Sequence, residues 1–217
     1  MDITHLGHSC LLVSSGGSRV LVDPGTFSHG FEELTGLAAI VITHQHPDHV
    51  DVERLPMLLE ANDGARLLAE PELAAELAKA GLEARPLHAG ESADLGDLTV
   101  RAVGGLHAVI HPDLPRVGNV GLLLSDGGQT LFHPGDAIDV LPTGDEAPDG
   151  VDVLALPVAA PWAALRETAE FLRAVAPRTA FGIHEAILAP AGVAVYQRLL
   201  AALAPEATTW SATPAPP

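Results

Sequence analysis

Cysteine is all but missing from this chain: Cys10 stands alone among 217 residues. One thiol can form no intramolecular disulfide and cannot supply a thiolate zinc cluster. Such usage suits a reducing compartment. Basic residues are scarce too, 11 Lys and Arg against 28 Asp and Glu, for a net charge of −17 with histidine neutral. A field of that sign repels phosphate backbones and anionic membrane surfaces, and no Lys/Arg-rich run offsets it locally. Nucleic acid and membrane are therefore not expected as partners, although a cationic metal centre could still draw in a small anion. No apolar run approaches the roughly 18 residues a membrane helix needs. The opening MDITHLGHSC has neither a basic start nor an apolar signal core, so the expected location is the cytoplasm. Oligomeric state leaves no signature in the sequence.

Against these deficits stand eleven histidines, beside only five Phe, two Trp and one Tyr. Nitrogen ligands are in good supply, and metal binding becomes the first question to ask. Hydrophobic residues make up 47% of the chain, enough for one domain with a full core. A single domain is expected over residues 1–204. The Pro-, Ala- and Thr-rich stretch 205–217 is expected to fray.

Strands and helices mix along the whole length. Strand patterns lie at Ile3–His5, Leu11–Val13, Arg19–Val22, Ala39–Thr43, Leu67–Ala69, Ala84–Leu87, Leu98–Val103, Val120–Leu124, Thr130–Phe132, Val151–Leu156 and Thr179–Ile183. Helix patterns lie at 52–60, 71–80, 163–175 and 193–203, the second with Pro71 at its start and Gly81 just past its end. Two βαβ-like blocks, about 1–103 and 104–217, can face each other, though no repeat links them.

The densest chemistry is His44-x-His46-x-Asp48-His49. At a strand end, residues two apart point the same way, so His44 and His46 can converge on one ion. Pro47 bends the chain, and Asp48 and His49 can turn to a second. Three further apolar strands each lead to a candidate ligand: one to His107, one to His133-Pro134-Gly135-Asp136, and one to His184. Carboxyl ends of strands are where α/β sheets place their sites. His111, four residues after His107, could replace it, and His133 could compete with Asp136.

Together these residues resemble the metallo-β-lactamase superfamily. The likeness rests on the HxHxDH element, Leu21-Val22-Asp23-Pro24, the lone His107, Gly135-Asp136 and Gly182-Ile183-His184. The opening His5-Leu6-Gly7-His8-Ser9 is similar to the lactonase-like branch related to ascorbate-6-phosphate lactonase. The resemblance implies an α/β (α+β) fold, a four-layer αββα sandwich with metals at one edge. It implies that His44, His46 and His107 hold a first metal, that Asp48, His49 and His184 hold a second, and that Asp136 bridges them. The implied cofactors are two divalent ions, Zn2+ first, with Mn2+, Ni2+ or Fe2+ also suited to N/O ligands.

Two such ions can share one water and hold it as hydroxide near neutral pH, with Asp48 orienting it, for attack on a small ester, lactone or phosphoester. No Gly-x-Ser-x-Gly elbow is present to suggest a serine nucleophile. His8 is a candidate for contact with substrate or ligands, and Asp23 for orienting a ligand histidine. His29 and Trp162 could line a pocket, although a surface loop and core packing are the simpler readings of each. Arg116 could meet an anionic substrate, but reads more simply as an exposed arginine. An iron-dependent oxidoreductase is the main alternative. Its branch carries glutamate at the second position of the element, where this chain has His46. A non-catalytic metal or ligand binder is the other.

Overall fold

The computed structural model describes residues 1–206 and 208–211. Period-two burial builds the first sheet. Strands β1 (Asp2–His5), β2 (Leu11–Ser15), β3 (Ser18–Val22), β4 (Ala39–Ile42), β5 (Arg66–Ala69) and β6 (Arg85–Pro86) pair in sequence order. On one face Leu11, Val13, Val20, Val22, Ala39 and Val41 enter the central core. On the other, Leu12, Leu21, Ile40 and Ile42 meet the helices α1 (Leu55–Ala61) and α2 (Pro71–Lys79). A strand buried on both faces reads as a continuous apolar run, which is why Ala39–Ile42 shows no polar alternation.

The second sheet holds β7 (Ser92–Asp94), β8 (Thr99–Leu106), β9 (Gly118–Ser125), β10 (Thr130–His133), β11 (Val153–Pro157), β12 (Thr179–Ile183) and β13 (Thr209–Trp210), in the order β13-β12-β11-β10-β9-β8-β7. Its inner face, with Val100, Val120, Leu122, Leu131, Ala155 and Phe181, packs on the first sheet. Its outer face packs Leu123, Phe132, Leu154 and Leu156 on α3 (Leu165–Val175) and α4 (Pro190–Leu203). Three apolar interfaces thus separate four layers, α-β-β-α, as expected. Truncating a residue such as Leu122 to Ala in the central interface costs about 2–5 kcal/mol.

The sheets divide after β6, not near residue 103. The segment read as closing a first block, Leu98–Val103, is β8, which pairs with β9 from Thr99↔Ser125 to Leu106↔Gly118. Pairing partners are a tertiary choice that local patterning does not encode. Thr209–Trp210, inside the stretch expected to fray, pair in parallel with Thr179–Ala180. Residues 207 and 212–217 of that stretch lie outside the described residues. Among the described residues no helix is long and apolar enough to cross a membrane.

β10, β11 and β12 are mutually parallel, and β8 runs with them because β9 opposes both β8 and β10. In the first sheet β3, β4 and β5 are parallel. The segments leaving β4, β8, β10 and β12 therefore meet at one edge of the sandwich. There the backbone joins the sheets: Val120 N–H donates to the Thr43 carbonyl at 3.0 Å, and His184 N–H to the His8 carbonyl at 3.0 Å.

Candidate metal centre

Strand β4 ends at Ile42, so His44 and His46 lie in the irregular loop that follows rather than on the strand. Loop closure, not strand alternation, turns their rings together. N–H groups of His49 and Val50 both donate to the His46 carbonyl, at 2.9 and 3.0 Å, and fold residues 46–50 into a tight turn. The 24–26 segment braces that turn from below, with Thr26 N–H on the Pro47 carbonyl and Asp51 N–H on the Pro24 carbonyl. Gly25 is required there, since a Cβ would strike the carbonyl of Asp48.

Two groups of donors form side by side. His44, His46, His107 and Asp136 make one, and His8, Asp48, His49 and His184 the other. Within each group, one ligand atom per residue lies within 4.8 Å of the rest. Asp136 stands between the groups. Its Oδ2 is 3.8 Å from His44 Nε2, 3.3 Å from His107 Nε2 and 3.4 Å from His184 Nε2, while its Oδ1 is 3.0 Å from His49 Nε2. The seven residues expected as ligands are thus all brought together. His8 joins the second group directly, with Nε2 3.0 Å from Asp48 Oδ2 and its ring centroid 4.1 Å from that of His184.

The ring nitrogens turned away from the centre are anchored. His49 Nδ1 lies 2.7 Å from Asp23 Oδ2, His107 Nδ1 2.7 Å from the Ala108 carbonyl, His184 Nδ1 2.7 Å from the Ala159 carbonyl, and His44 Nδ1 3.0 Å from Thr43 Oγ1. Each anchor fixes ring orientation and leaves Nε2 pointing inward, as metal-binding histidines require. His46 instead presents Nδ1, 3.1 Å from His44 Nε2. The inward atoms His107 Nε2, His184 Nε2 and Asp136 Oδ1 are buried and make no well-aligned hydrogen bond, only the close contacts with one another and with His49 given above. Buried lone pairs of this kind cost about 1–3 kcal/mol each when unsatisfied, and a cation is the partner they lack. Two ligands of one tetrahedral zinc sit about 3.3–3.4 Å apart at bond lengths of about 2.0–2.1 Å, close to the spacings here. The donor set therefore fits divalent metal ions.

Burial and neighbouring charges divide the cage histidines into two sets. Burial, and then the neighbouring His49, hold His44 well below the ordinary imidazole range; burial likewise lowers His46. Burial also pulls His8 down to about 4. Burial opposes the charged forms of His49 and His184 as well, but flanking carboxylates prevail. Asp136 and Asp23 push His49 well above its usual value, and Asp136 and Asp48 push His184 up to about 9. Asp48 and Asp136 stay ionised despite burial because imidazoles surround both. Among the described residues, three of the four non-glycine residues with positive φ are here: His8 at 54°, Asp23 at 47° and His184 at 65°. Backbone in this sparsely populated region clusters at functional sites.

Other candidates fall elsewhere. His111 is exposed and faces Asp113 at 3.6 Å. His133 is buried, with Nε2 2.9 Å from the Ser9 carbonyl and Nδ1 accepting from Gly135 N–H. His29 lies exposed in its loop. Arg116 donates from Nε to the His107 carbonyl at 2.6 Å and pairs with Asp139 at 3.4 Å. Trp162 is not a core residue: half-buried, it donates from Nε1 to Asp136 Oδ2 at 3.1 Å and meets the rings of His107 and His184 edge-on. Asn119 and Thr43 went unread. Asn119 Oδ1 accepts from Asp136 N–H at 3.0 Å, and Thr43 donates to Asp23 at 2.7 Å. Thr43 abuts the histidine element and could have been suspected; Asn119 carries no local signal.

The family model described as "Beta-lactamase superfamily domain" matches residues 2–184. A Mycobacterium tuberculosis protein, Rv0786c, is 54% identical across 90% of this chain and 89% of its own length. A UPF0173 metal-dependent hydrolase of Alkaliphilus metalliredigens is 30% identical across 73% of each chain. Among solved structures, the metallo-beta-lactamase fold protein YhfI of Bacillus subtilis superposes with a TM-score of 0.67 at 14% identity, covering 96% of this chain and 90% of that one. The fold is the metallo-β-lactamase fold. The chain belongs to the beta-lactamase superfamily and, within it, to the UPF0173 family.

Proposed function

We propose that this protein is a metal-dependent hydrolase that holds two divalent ions, zinc first among the candidates, and acts on a small ester, lactone or phosphoester. The observation that carries the reading is Asp136, whose carboxylate contacts histidines of two adjacent groups of donors. The name of the Alkaliphilus relative supports the hydrolase assignment.

His44, His46 and His107 would hold one ion, Asp48, His49 and His184 the other, and Asp136 both. Divalent ions so held supply Lewis acidity toward a carbonyl or phosphoryl oxygen and lower the pKa of water. The chain's own groups do the rest. Asp48 is the cage carboxylate that keeps contact with solvent, its side chain 21% exposed. His8 and His184 hold it ionised, so it can accept a hydrogen bond from an entering water and fix its direction. Trp162 braces Asp136, its Nε1–H donating to Oδ2 at 3.1 Å. Asp23 and Thr43 hold the His44 and His49 rings in register.

The test is a substrate screen of phosphodiesters, lactones and thioesters, with metal stripped by chelator and restored as zinc, manganese, nickel or iron. Turnover that vanishes with the metal, returns on reloading, and is abolished by His46→Ala is expected. Metal-independent turnover overturns the reading, as does bound iron with redox activity and no hydrolysis.

A further inference from the structure

Beside the cage lies a groove of about 530 Å³, within the size range of small-molecule sites. None of the cage donors lines it, but residues next to them do. Ala108, whose carbonyl receives His107 Nδ1, and Ile138, two residues past Asp136, both line it. Trp162, bonded to Asp136 Oδ2, stands at the junction. Phe171 lies beneath, and Val109 and Leu141 flank the groove with 49% and 45% of their surface exposed. Apolar side chains held half in water along a concave wall gain by being covered.

The charged lining speaks to what covers them. Asp139, Glu167 and Glu170 line the groove, and each faces one guanidinium: Arg116 at 3.4 Å, Arg166 at 3.6 Å and Arg173 at 3.0 Å. The whole chain carries −17. The groove carboxylates are offset one for one, so an anionic tail works against the field of the whole chain, whereas an uncharged apolar one meets hydrocarbon.

We propose that this groove is the subsite for the uncharged apolar chain of a carboxylic ester or lactone whose carbonyl reaches the cage. This rests on the hydrolase reading and narrows it: phosphoesters and acyl groups with charged ends are disfavoured. In the reaction, water adds across the acyl C–O bond. Its oxygen bonds to the acyl carbon, the leaving alcohol oxygen takes one proton, and the acid product releases the other. No redox partner is needed.

The experiment compares kcat/KM of the metal-loaded protein for p-nitrophenyl esters from acetate to octanoate, and for mono-p-nitrophenyl suberate, which ends in a carboxylate. Each buried methylene multiplies kcat/KM by up to about fourfold. The octanoate-to-acetate ratio is therefore expected to reach about tenfold or more, with suberate about tenfold below octanoate. Leu141→Asp and Val109→Asp each lower the octanoate-to-acetate ratio by about fivefold or more at unchanged metal content. A flat ratio, suberate equal to octanoate, variants without effect on the ratio, or bis-p-nitrophenyl phosphate turned over faster than octanoate each overturn the proposal. If no ester, lactone, thioester or phosphodiester is hydrolysed, the hydrolase reading fails and the groove is judged by binding alone. In Trp210→Phe, where Trp162 is the sole tryptophan, a saturable change of its fluorescence with 2-decanone that Leu141→Asp weakens supports the groove. No saturable change overturns it.

Discussion

Asp23 holds His49 from behind: its Oδ2 lies 2.7 Å from His49 Nδ1, and both side chains are fully buried. The same carboxylate takes a hydrogen bond from Thr43 Oγ1 and one from Thr43 N–H. One residue of β3's outgoing turn thereby sets the angle of a cage histidine and the end of β4.

Asp23→Asn retains the shape but removes the charge that orients the His49 ring. Zinc affinity is expected to fall about 10–100-fold, measured by competition with a chromogenic chelator. Undiminished affinity would remove Asp23 from the site.

Gly135, at φ +60°, lets the 134–136 turn pass against Thr43 and Asn119; a Cβ would lie 2.9 Å from Thr43 Cβ and strike the Asn119 amide. Gly135→Ala should displace Asp136, lowering metal content and Tm together. A variant with wild-type metal content would show that Asp136 does not need this turn.

Arg54 ties the 25–32 loop to α1's start. It bonds the Gly25 and Ser28 carbonyls at 3.1 and 3.3 Å, pairs with Asp51 at 2.6 Å and with Glu32, and lies over the Phe31 ring at 4.5 Å. Burial tends to raise both carboxyls, but Arg54 and backbone N–H groups hold each below its ordinary value. Depressed carboxyl pKa values stabilise the folded state above the unfolded values, about 4, and that stabilisation is lost as pH falls through the folded ones. Arg54→Ala is expected to cost about 1–3 kcal/mol at neutral pH. The gap to wild type should narrow below about pH 4 in urea unfolding. A pH-independent gap contradicts the ion-pair account.

Much of the site was legible because its densest part is local. The seven residues after β4, 43–49, supply four donors, and a tight turn brings them into two neighbouring groups. His107, Asp136 and His184 were readable because each follows an apolar strand, and parallel strands deliver their ends to one edge. What was not legible depends on distant packing. Trp162 reads as core because nothing near it in sequence reveals Asp136 as its partner. Asn119 looks like one more residue of β9 until the 134–136 turn lies across it. The division between the sheets was misplaced for the same reason, since β8 chooses β9 by pairing and not by pattern.

Metal stoichiometry of the purified chain and of Asp136→Ala, by mass spectrometry after loading and gel filtration, tests the two-ion cage most directly. The expected result is about two divalent ions per wild-type chain and a clear loss in the variant. A wild-type chain that retains no metal, or a variant that retains as much as wild type, would contradict it.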